Sequence, residues 1–177
     1  MISLLAFAVA AQGVVNPREI LLKTVFTDGT GVVARPIVRT LSSGPATVTC
    51  ALSGERSIEM KVVPRVNDDG TVTESVELRD STGLSDQDKN PARSSATPKF
   101  SFLMRVRNES EILISTTGKG TRVYRPNAGG YRMVFSSDKD EKRGGLLSRT
   151  KPSGSEVLIS LKCSILDAQP DVIRPNR

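Results

Sequence analysis

The sequence predicts an all-β fold in which antiparallel hairpins form a sandwich or a partly open barrel, with long polar loops. Apolar and polar residues alternate with a period of two along most of the chain, as they do in half-buried strands. Short turns rich in glycine, asparagine and aspartate separate these stretches. We find no stretch with the i, i+3, i+4, i+7 apolar spacing of an amphipathic helix.

The first predicted hairpin joins residues 18–26 to residues 32–41 through the turn sequence DGTG. Pro36 lies within the second of these strands and has no N–H to donate to a ladder. We therefore expect this strand to lie at a sheet edge or to be broken at Pro36. A further strand follows over residues 46–53.

The stretch from Ile58 to Leu78 has the clearest hairpin pattern. Alternate residues of its first strand are apolar, and Val72, Val76 and Leu78 share one face of the return strand. The predicted structural turn between the two strands consists of Asn67, Asp68, Asp69 and Gly70. The first three side chains can hydrogen-bond nearby backbone, and the glycine suits a left-handed closing position.

The second half of the chain predicts two more hairpins and a closing strand. A long polar connection over residues 79–98 comes first. The predicted strands are residues 99–107, 112–116, 120–126, 131–137 and 155–166. We expect the first two to pair around the turn sequence NESE and the next two around NAGG.

Three segments organise the chain. Residues 1–11 resemble a truncated signal peptide, because they are apolar or small and contain a small-x-small sequence; a first core strand is the alternative. Residues 12–167 form a single β domain, and residues 168–177, with two prolines, form a flexible tail. We therefore expect an exported protein of the periplasm or outer membrane, without a transmembrane helix.

The chain contains no histidine. This absence removes the usual general base, the common nucleophile pairs and the commonest zinc ligand. No spacing of carboxylates or lysines singles out a catalytic pair. We therefore expect a protein that is not an enzyme and that has no cofactor or metal site.

Cys50 and Cys163 each share the parity of the apolar residues in their predicted strands, so both thiols should point into the core. Two alternatives follow. If the chain is exported, the two residues can form a disulfide; otherwise they are separate buried thiols that pack as small hydrophobic groups.

The net charge of +6 is concentrated in the middle of the chain, where residues 99–135 hold seven Lys and Arg against two Asp and Glu. The candidate basic binding patch consists of Arg105, Arg107, Lys119, Arg122, Arg125 and Arg132. Such a patch fits an anionic envelope polymer or a nucleic acid, and solvated strand faces are the other interpretation. Tyr124 and Tyr131 interleave with these cations, as aromatic residues do in single-strand binders.

Two sequence patterns are more specific. The stretch RPIVRTLSSGPATVTC contains Pro36, Thr40, Gly44, Ala46 and Thr47. The stretch IEMKVVPRVNDDGTVTESVEL contains Val62, Pro64, Asp69, Gly70 and Val72. With the later stretches FSFLMRVRNESEILIST and EVLISLKCSIL, in this order, they resemble the C-terminal domain of secretins, the outer-membrane channels of type II and III secretion and type IV pilus systems.

The resemblance implies a secretin-like β domain that is a component or accessory of an envelope secretion or pilus apparatus. Its implied partners are other envelope proteins or further copies of the chain. The family's Gly-Gly-Leu element is replaced by STTGKG and its Pro-x-Leu-Gly-Asp-x-Pro segment is absent, so the domain is shortened and divergent. The alternative is a stand-alone β-sandwich module that binds an anionic envelope polymer or nucleic acid.

Overall fold

The structure is a computed structural model that describes residues 18–52, 56–81, 99–117, 120–137, 145–147, 152 and 154–166. Twelve strands occur in these ranges, and every pairing between them is antiparallel. The prediction of an all-β fold built from antiparallel sheets is therefore confirmed. The expected signal peptide (1–11) and tail (168–177) lie outside the described residues. Within those residues no helix is long and apolar enough to cross a lipid bilayer.

The strands, in chain order, are β1 (Glu19–Asp28), β2 (Gly31–Ala34), β3 (Ile37–Leu41), β4 (Ala46–Ala51), β5 (Ser57–Val66), β6 (Thr71–Ser81), β7 (Lys99–Arg107), β8 (Glu111–Thr116), β9 (Thr121–Asn127), β10 (Gly130–Ser136), β11 (Leu146–Leu147) and β12 (Val157–Leu166).

Eight strands form the large sheet in the order β11-β10-β9-β8-β12-β1, and both β2 and β3 pair with the remaining edge of β1. The strand is interrupted between β2 and β3 at Arg35 and Pro36. The N–H of Thr24 on β1 still reaches the carbonyl of Pro36 at 3.0 Å. The prediction that this strand lies at a sheet edge or is broken at Pro36 is confirmed, since β2 and β3 lie at the edge beyond β1 and Pro36 has no donor for a continuous ladder.

Four strands form the small sheet in chain order, β4-β5-β6-β7. The hairpin expected from Ile58 to Leu78 is present as β5 and β6, whose pairing ends at Val66 and Val72 beside the turn. Strand β6 also includes residues 79–81, which the sequence assigns to the polar connection. The rest of that connection lies outside the described residues.

The expected pairing of residues 99–107 with 112–116 is wrong. β7 pairs with β6 in the small sheet, whereas β8 crosses to the large sheet and lies between β9 and β12. The physical reason is the burial of β8, in which Ile112, Leu113 and Ile114 are all buried although they point to alternating faces. A strand buried on both faces requires a central place in a covered sheet.

The main core lies between the inner faces of the two sheets. Its fully buried large side chains include Ile20, Leu22, Phe26, Ile58, Met60, Leu78, Ile112, Ile114, Ile159 and Leu161. Burial of each such side chain stabilises the fold by about 1.5–3 kcal/mol. A second cluster lies on the opposite face of the large sheet and consists of Leu113, Tyr124, Met133 and Leu158.

Both cysteines are buried in the main core, as their parity predicts, but they are free thiols. Cys50 on β4 is level with Asp80 across β5, whereas the thiol of Cys163 on β12 lies beside Glu74. Asp80 and Glu74 are six residues apart on β6, which corresponds to about 20 Å at about 3.3 Å per residue. The disulfide alternative is therefore wrong, since a disulfide requires Cα atoms within about 7 Å.

Candidate functional site

The small sheet ends in two strands, β4 and β7, whose outer edges pair with no strand that the structure describes. Backbone N–H and C=O groups along such edges can pair with a strand of another chain. Because all three pairings within the sheet are antiparallel, β4 and β7 run in opposite directions. A neighbouring copy in the same orientation can therefore place its β4 beside β7 of the first copy, with the two strands antiparallel.

The two specific sequence patterns meet at the corner where the chain passes from the large sheet to the small one. The N–H of Ser43 donates to the carbonyl of Pro64 at 2.7 Å, and the N–H of Val66 donates to Oγ of Ser42 at 3.0 Å. A Cβ at Gly44 would lie 2.8 Å from Oγ1 of Thr40, so this corner requires glycine. The patterns thus build the connection that holds β4 and β5 against the large sheet.

The predicted turn between β5 and β6 has the geometry that its residues suggest. Gly70 has a φ of 76°, and its N–H donates to the carbonyl of Asn67 at 3.0 Å. Oδ1 of Asp69 accepts hydrogen bonds from the backbone N–H and the hydroxyl of Thr71 at 3.1 and 2.6 Å. These bonds fix the end of the hairpin next to β7.

A groove of about 460 Å³ runs beside β7. One wall consists of consecutive residues of β7, from Met104 to Arg107. Because neighbouring side chains of a strand point to opposite faces, an unbroken run of lining residues indicates that the strand edge itself forms this wall. The hairpin of β9 and β10 forms the other wall, where Arg125 and Arg132 are cross-strand partners.

Four of the six candidate basic residues line this groove: Arg105, Arg107, Arg125 and Arg132. The first two belong to the small sheet and the other two to the large sheet, so the fold brings together residues that are separate in sequence. Arg122 lies on β9 but is not a lining residue, and Lys119 lies outside the described residues.

The four arginines of the groove differ in whether they form an ion pair with a carboxylate. Nη2 of Arg105 lies 2.5 Å from Oδ2 of Asp69, and this guanidinium holds the pKa of Asp69 far below its usual range. Among the residues described, no carboxylate forms an ion pair with Arg107, Arg125 or Arg132. Glu111 also lines the groove, but its carboxylate accepts hydrogen bonds from the hydroxyls of Tyr131 and Ser160. The groove is therefore cationic.

The two tyrosines do not provide a stacking surface in this groove. Tyr124 is only 6% exposed and packs in the cluster on the outer face of the large sheet. Tyr131 is half-buried against the same cluster, with its hydroxyl 3.1 Å from Oε2 of Glu111. Single-stranded nucleic acids rely on exposed aromatic faces, so the groove suits other anionic ligands better.

Glu74 is a buried carboxyl group that the sequence analysis missed. It is 0% exposed, and neither carboxyl oxygen has a hydrogen-bond partner in the described structure. Burial raises its pKa to about 7, while an interaction with the thiol of Cys163 opposes that shift. The parity of Glu74, which it shares with Val72 and Val76, is the signal that places it in the core.

Arg56 and Asp80 form a buried ion pair that the sequence analysis also missed. Nε and Nη2 of Arg56 donate to the two carboxylate oxygens of Asp80 at 2.8 and 2.5 Å. The hydroxyl of Thr116 on β8 donates to Oδ2 of Asp80 at 2.6 Å, and Nη2 of Arg56 donates to the carbonyl of Thr116 at 3.2 Å. Arg56 also donates to the carbonyl of Ser155. The pair thus joins one end of the small sheet to the large sheet.

Within the described ranges, no group of three or more Asp, Glu or Cys residues is placed to hold a metal ion. Glu74 and Asp80 lie on the inner face of β6, one without a partner and the other paired with Arg56. The open edges of the small sheet and the cationic groove beside β7 offer backbone groups and charges to another molecule.

The chain is similar in structure to solved chains of the type III secretion injectisome secretin InvG of Salmonella. For residues 176 to the end of that secretin in the open gate state, the TM-score is 0.35 with 12% identity, over 90% of this chain and 59% of that chain. For the secretin at near-atomic resolution, the TM-score is 0.33 with 14% identity, over 89% of this chain and 63% of that chain.

For a chain in the atomic model of the injectisome basal body proteins InvG, PrgH and PrgK, the TM-score is 0.33 with 14% identity, over 89% of this chain and 45% of that chain. The chain therefore spans less than two thirds of each of these solved chains. No protein-family model matches the sequence, and no curated protein matches it.

Proposed function

We propose that this chain is a non-enzymatic, secretin-like β domain that supplies strands to a multichain assembly in an envelope secretion or pilus apparatus. It acts after export, in the periplasm or at the outer membrane. Copies of the chain associate edge to edge, with β7 of one copy pairing with β4 of the next.

The observation that carries this proposal is the pair of open edges of the small sheet. Among the residues that the structure describes, no strand pairs with the backbone donors and acceptors along either edge. The opposite directions of β4 and β7 allow identical copies to pair in one repeated orientation. A head-to-tail contact of this kind forms a ring where the rotation between copies closes.

The sequence patterns that resemble secretins support the same function. Thr40 and Gly44 shape the corner between the sheets, and Pro64 and Gly70 lie in the β5–β6 hairpin next to it. These residues set the position and register of the small sheet, and none of them does chemistry. A strand-supplying role requires such residues.

A second candidate function is a stand-alone module that holds an anionic envelope polymer. The specific observation in its favour is the groove that gathers four arginines from two sheets. Retention on a heparin column at physiological salt, by a chain that stays monomeric, favours this second function.

Light scattering on the purified chain, in buffer and in detergent, tests the leading proposal. We expect a mass of at least twice the 19.1 kDa of one chain, and a strict monomer in both solvents would contradict the proposal. Two adjacent substitutions on β4, Val48→Pro and Thr49→Pro, sharpen the test because neighbouring N–H groups of a strand point to opposite edges. In one of the two variants, proline replaces an N–H that points away from β5, so the β4–β5 ladder stays intact. We expect that variant to fold and to be monomeric. An assembly that both variants leave unchanged contradicts pairing through β4.

A further inference from the structure

We propose that the groove beside β7 binds an extended acidic peptide segment, which adds as a strand to the β7 edge and places its carboxylates against Arg125 and Arg132. The observation behind this proposal is the juxtaposition of an open strand edge with a cationic wall. It goes beyond self-assembly, because the occupant is a segment of a different protein and its binding can be measured on the monomeric chain.

The backbone of β7 provides the first part of the recognition. Its other edge is fully paired with β6 from Lys99 to Arg107, so the strand is held straight and in register. A peptide added at the free edge gains main-chain hydrogen bonds whatever its sequence. Four consecutive residues of β7 line the groove, which corresponds to a length of about 13 Å, or four residues of an extended peptide.

The wall opposite β7 provides the specificity. Arg125 and Arg132 are exposed cross-strand partners, so their side chains project from the same face of the β9–β10 hairpin. Neither of them forms an ion pair with a carboxylate among the described residues. A guanidinium binds a carboxylate through two parallel hydrogen bonds, which a simple point charge does not reproduce.

Charge distinguishes an acidic peptide from a second copy of the chain as the occupant of this groove. Strand β4 has the sequence ATVTCA, which contains no charged residue, so its pairing with β7 would leave both arginines unmatched. An acidic segment satisfies the strand edge and the arginines together. We therefore expect an acidic peptide and the β4 strand of another copy to compete for β7.

A fluorescein-labelled ten-residue peptide of alternating Glu and Thr is the probe, titrated into the full chain at concentrations where light scattering gives a monomer. We expect saturable binding that weakens at least about tenfold in the double variant Arg125→Glu/Arg132→Glu, because both attractions become repulsions. Arg65→Glu is the control, since Arg65 is exposed on β5 and does not line the groove. We expect it to bind the peptide as the unmodified chain does.

Two further probes separate strand addition from simple charge attraction. Two versions of the peptide, one N-methylated at every Glu and the other at every Thr, each lose the main-chain donors along one edge of the strand. We expect the version whose methyl groups face β7 to bind at least about tenfold more weakly. A peptide with Gln in place of Glu should bind weakly. Binding of both methylated peptides as strong as that of the unmodified peptide, equal loss in the Arg65→Glu control, or tighter binding of a 20-nucleotide oligothymidylate than of the peptide would each overturn the proposal.

The failure of this proposal can be distinguished from the failure of the proposed function. A chain that is monomeric at every concentration tested and binds the acidic peptide contradicts self-assembly and supports the inference. An assembly that forms through β4 and β7 but shows no peptide binding at any dilution supports the function and overturns the inference.

Discussion

Replacement of the buried carboxyl group of Glu74 with an amide, Glu74→Gln, should remove most of the pH dependence of stability between pH 5 and pH 8. In the folded chain the pKa of Glu74 is about 7, because burial disfavours the charged form. In the unfolded chain the pKa of this side chain lies near its ordinary value of 4.5. The unfolded state therefore releases its proton at lower pH than the folded state does.

The sign and size of the effect follow from this difference. Below pH 4.5 both states hold the proton, and Glu74 makes no pH-dependent contribution to stability. As the pH rises from 4.5 to 7 the free energy of unfolding falls, because only the unfolded state releases the proton, and above pH 7 this loss of stability levels off. A difference of 2.5 pKa units, at about 1.36 kcal/mol each, gives a total loss of about 3 kcal/mol.

The composition of the chain leaves few other side chains that titrate between pH 5 and pH 8. There is no histidine, so no side chain titrates near pH 6.5 by default. The pKa of Asp69, Glu77 and Glu109 is lowered by hydrogen bonds to basic neighbours, so these carboxylates contribute below pH 4.5. Burial raises the pKa of Cys163 above its ordinary value near 9, beyond the window on the other side.

Urea unfolding followed by circular dichroism at pH 5, 6, 7 and 8 measures the effect. The unmodified chain should lose about 2.5 kcal/mol across this range, because part of the total loss has already occurred at pH 5, and Glu74→Gln should lose less than about 1 kcal/mol. Glu59→Gln is the matched control, because Glu59 lies on the outer face of β5 beside Arg79 and should keep the original slope. A Glu74→Gln variant that retains the full pH dependence would refute the assignment of the slope to this group.

Three further changes test other parts of the structure. Asp80→Asn should destabilise the fold by about 3–5 kcal/mol in urea unfolding, because it leaves the Arg56 guanidinium buried without its counter-ion; a loss below about 1 kcal/mol would argue against the buried pair. Gly70→Ala should cost about 1–2 kcal/mol, because φ is 76° there while the space around it is open, whereas Gly129→Ala, without a positive φ, should cost less. Unreduced, unfolded protein should react with two equivalents of a thiol reagent by mass spectrometry, and zero equivalents would instead support a Cys50–Cys163 disulfide.

Local patterns predicted the hairpins that pair with their nearest neighbours in sequence. The alternation on both sides of Asn67–Gly70 fixed β5 and β6 in register, and the lack of a donor at Pro36 correctly placed the break between β2 and β3. Both features depend on residues a few positions apart, so turn chemistry and strand parity are sufficient. The β9–β10 hairpin around NAGG was predicted for the same reason.

Long-range pairing was beyond the reach of these patterns. The turn after Arg107 resembles a hairpin turn, yet β8 pairs with β12, more than 40 residues later in the chain. The groove also depends on long-range pairing. Arg107 and Arg132 line it together because the chain passes from the small sheet to the large sheet between β7 and β8. Sequence reasoning identified the basic residues but not the strand edge that makes four of them one site.

Two buried carboxyl groups of β6 were not predicted: Glu74 was not assigned to either face, and Asp80 was placed in the polar connection over residues 79–98. Glu74 and Asp80 both have the inward parity of β6, and both are buried. Parity had already assigned their neighbours to the core, and it applies equally to a carboxylate. Arg56, the partner of Asp80, lies just before β5 and carries no comparable pattern in the sequence.

The central claim is that copies of the chain pair through the outer edges of β4 and β7, and amide hydrogen exchange measures that pairing directly. At concentrations where the chain assembles, the outward-facing amides of Ala46–Ala51 and Lys99–Arg107 should exchange at least about tenfold more slowly than in the dilute monomer. The amides between β5 and β6, which are already paired, should change little. Outward amides of both edges that exchange equally fast in assembled and dilute protein would contradict the account.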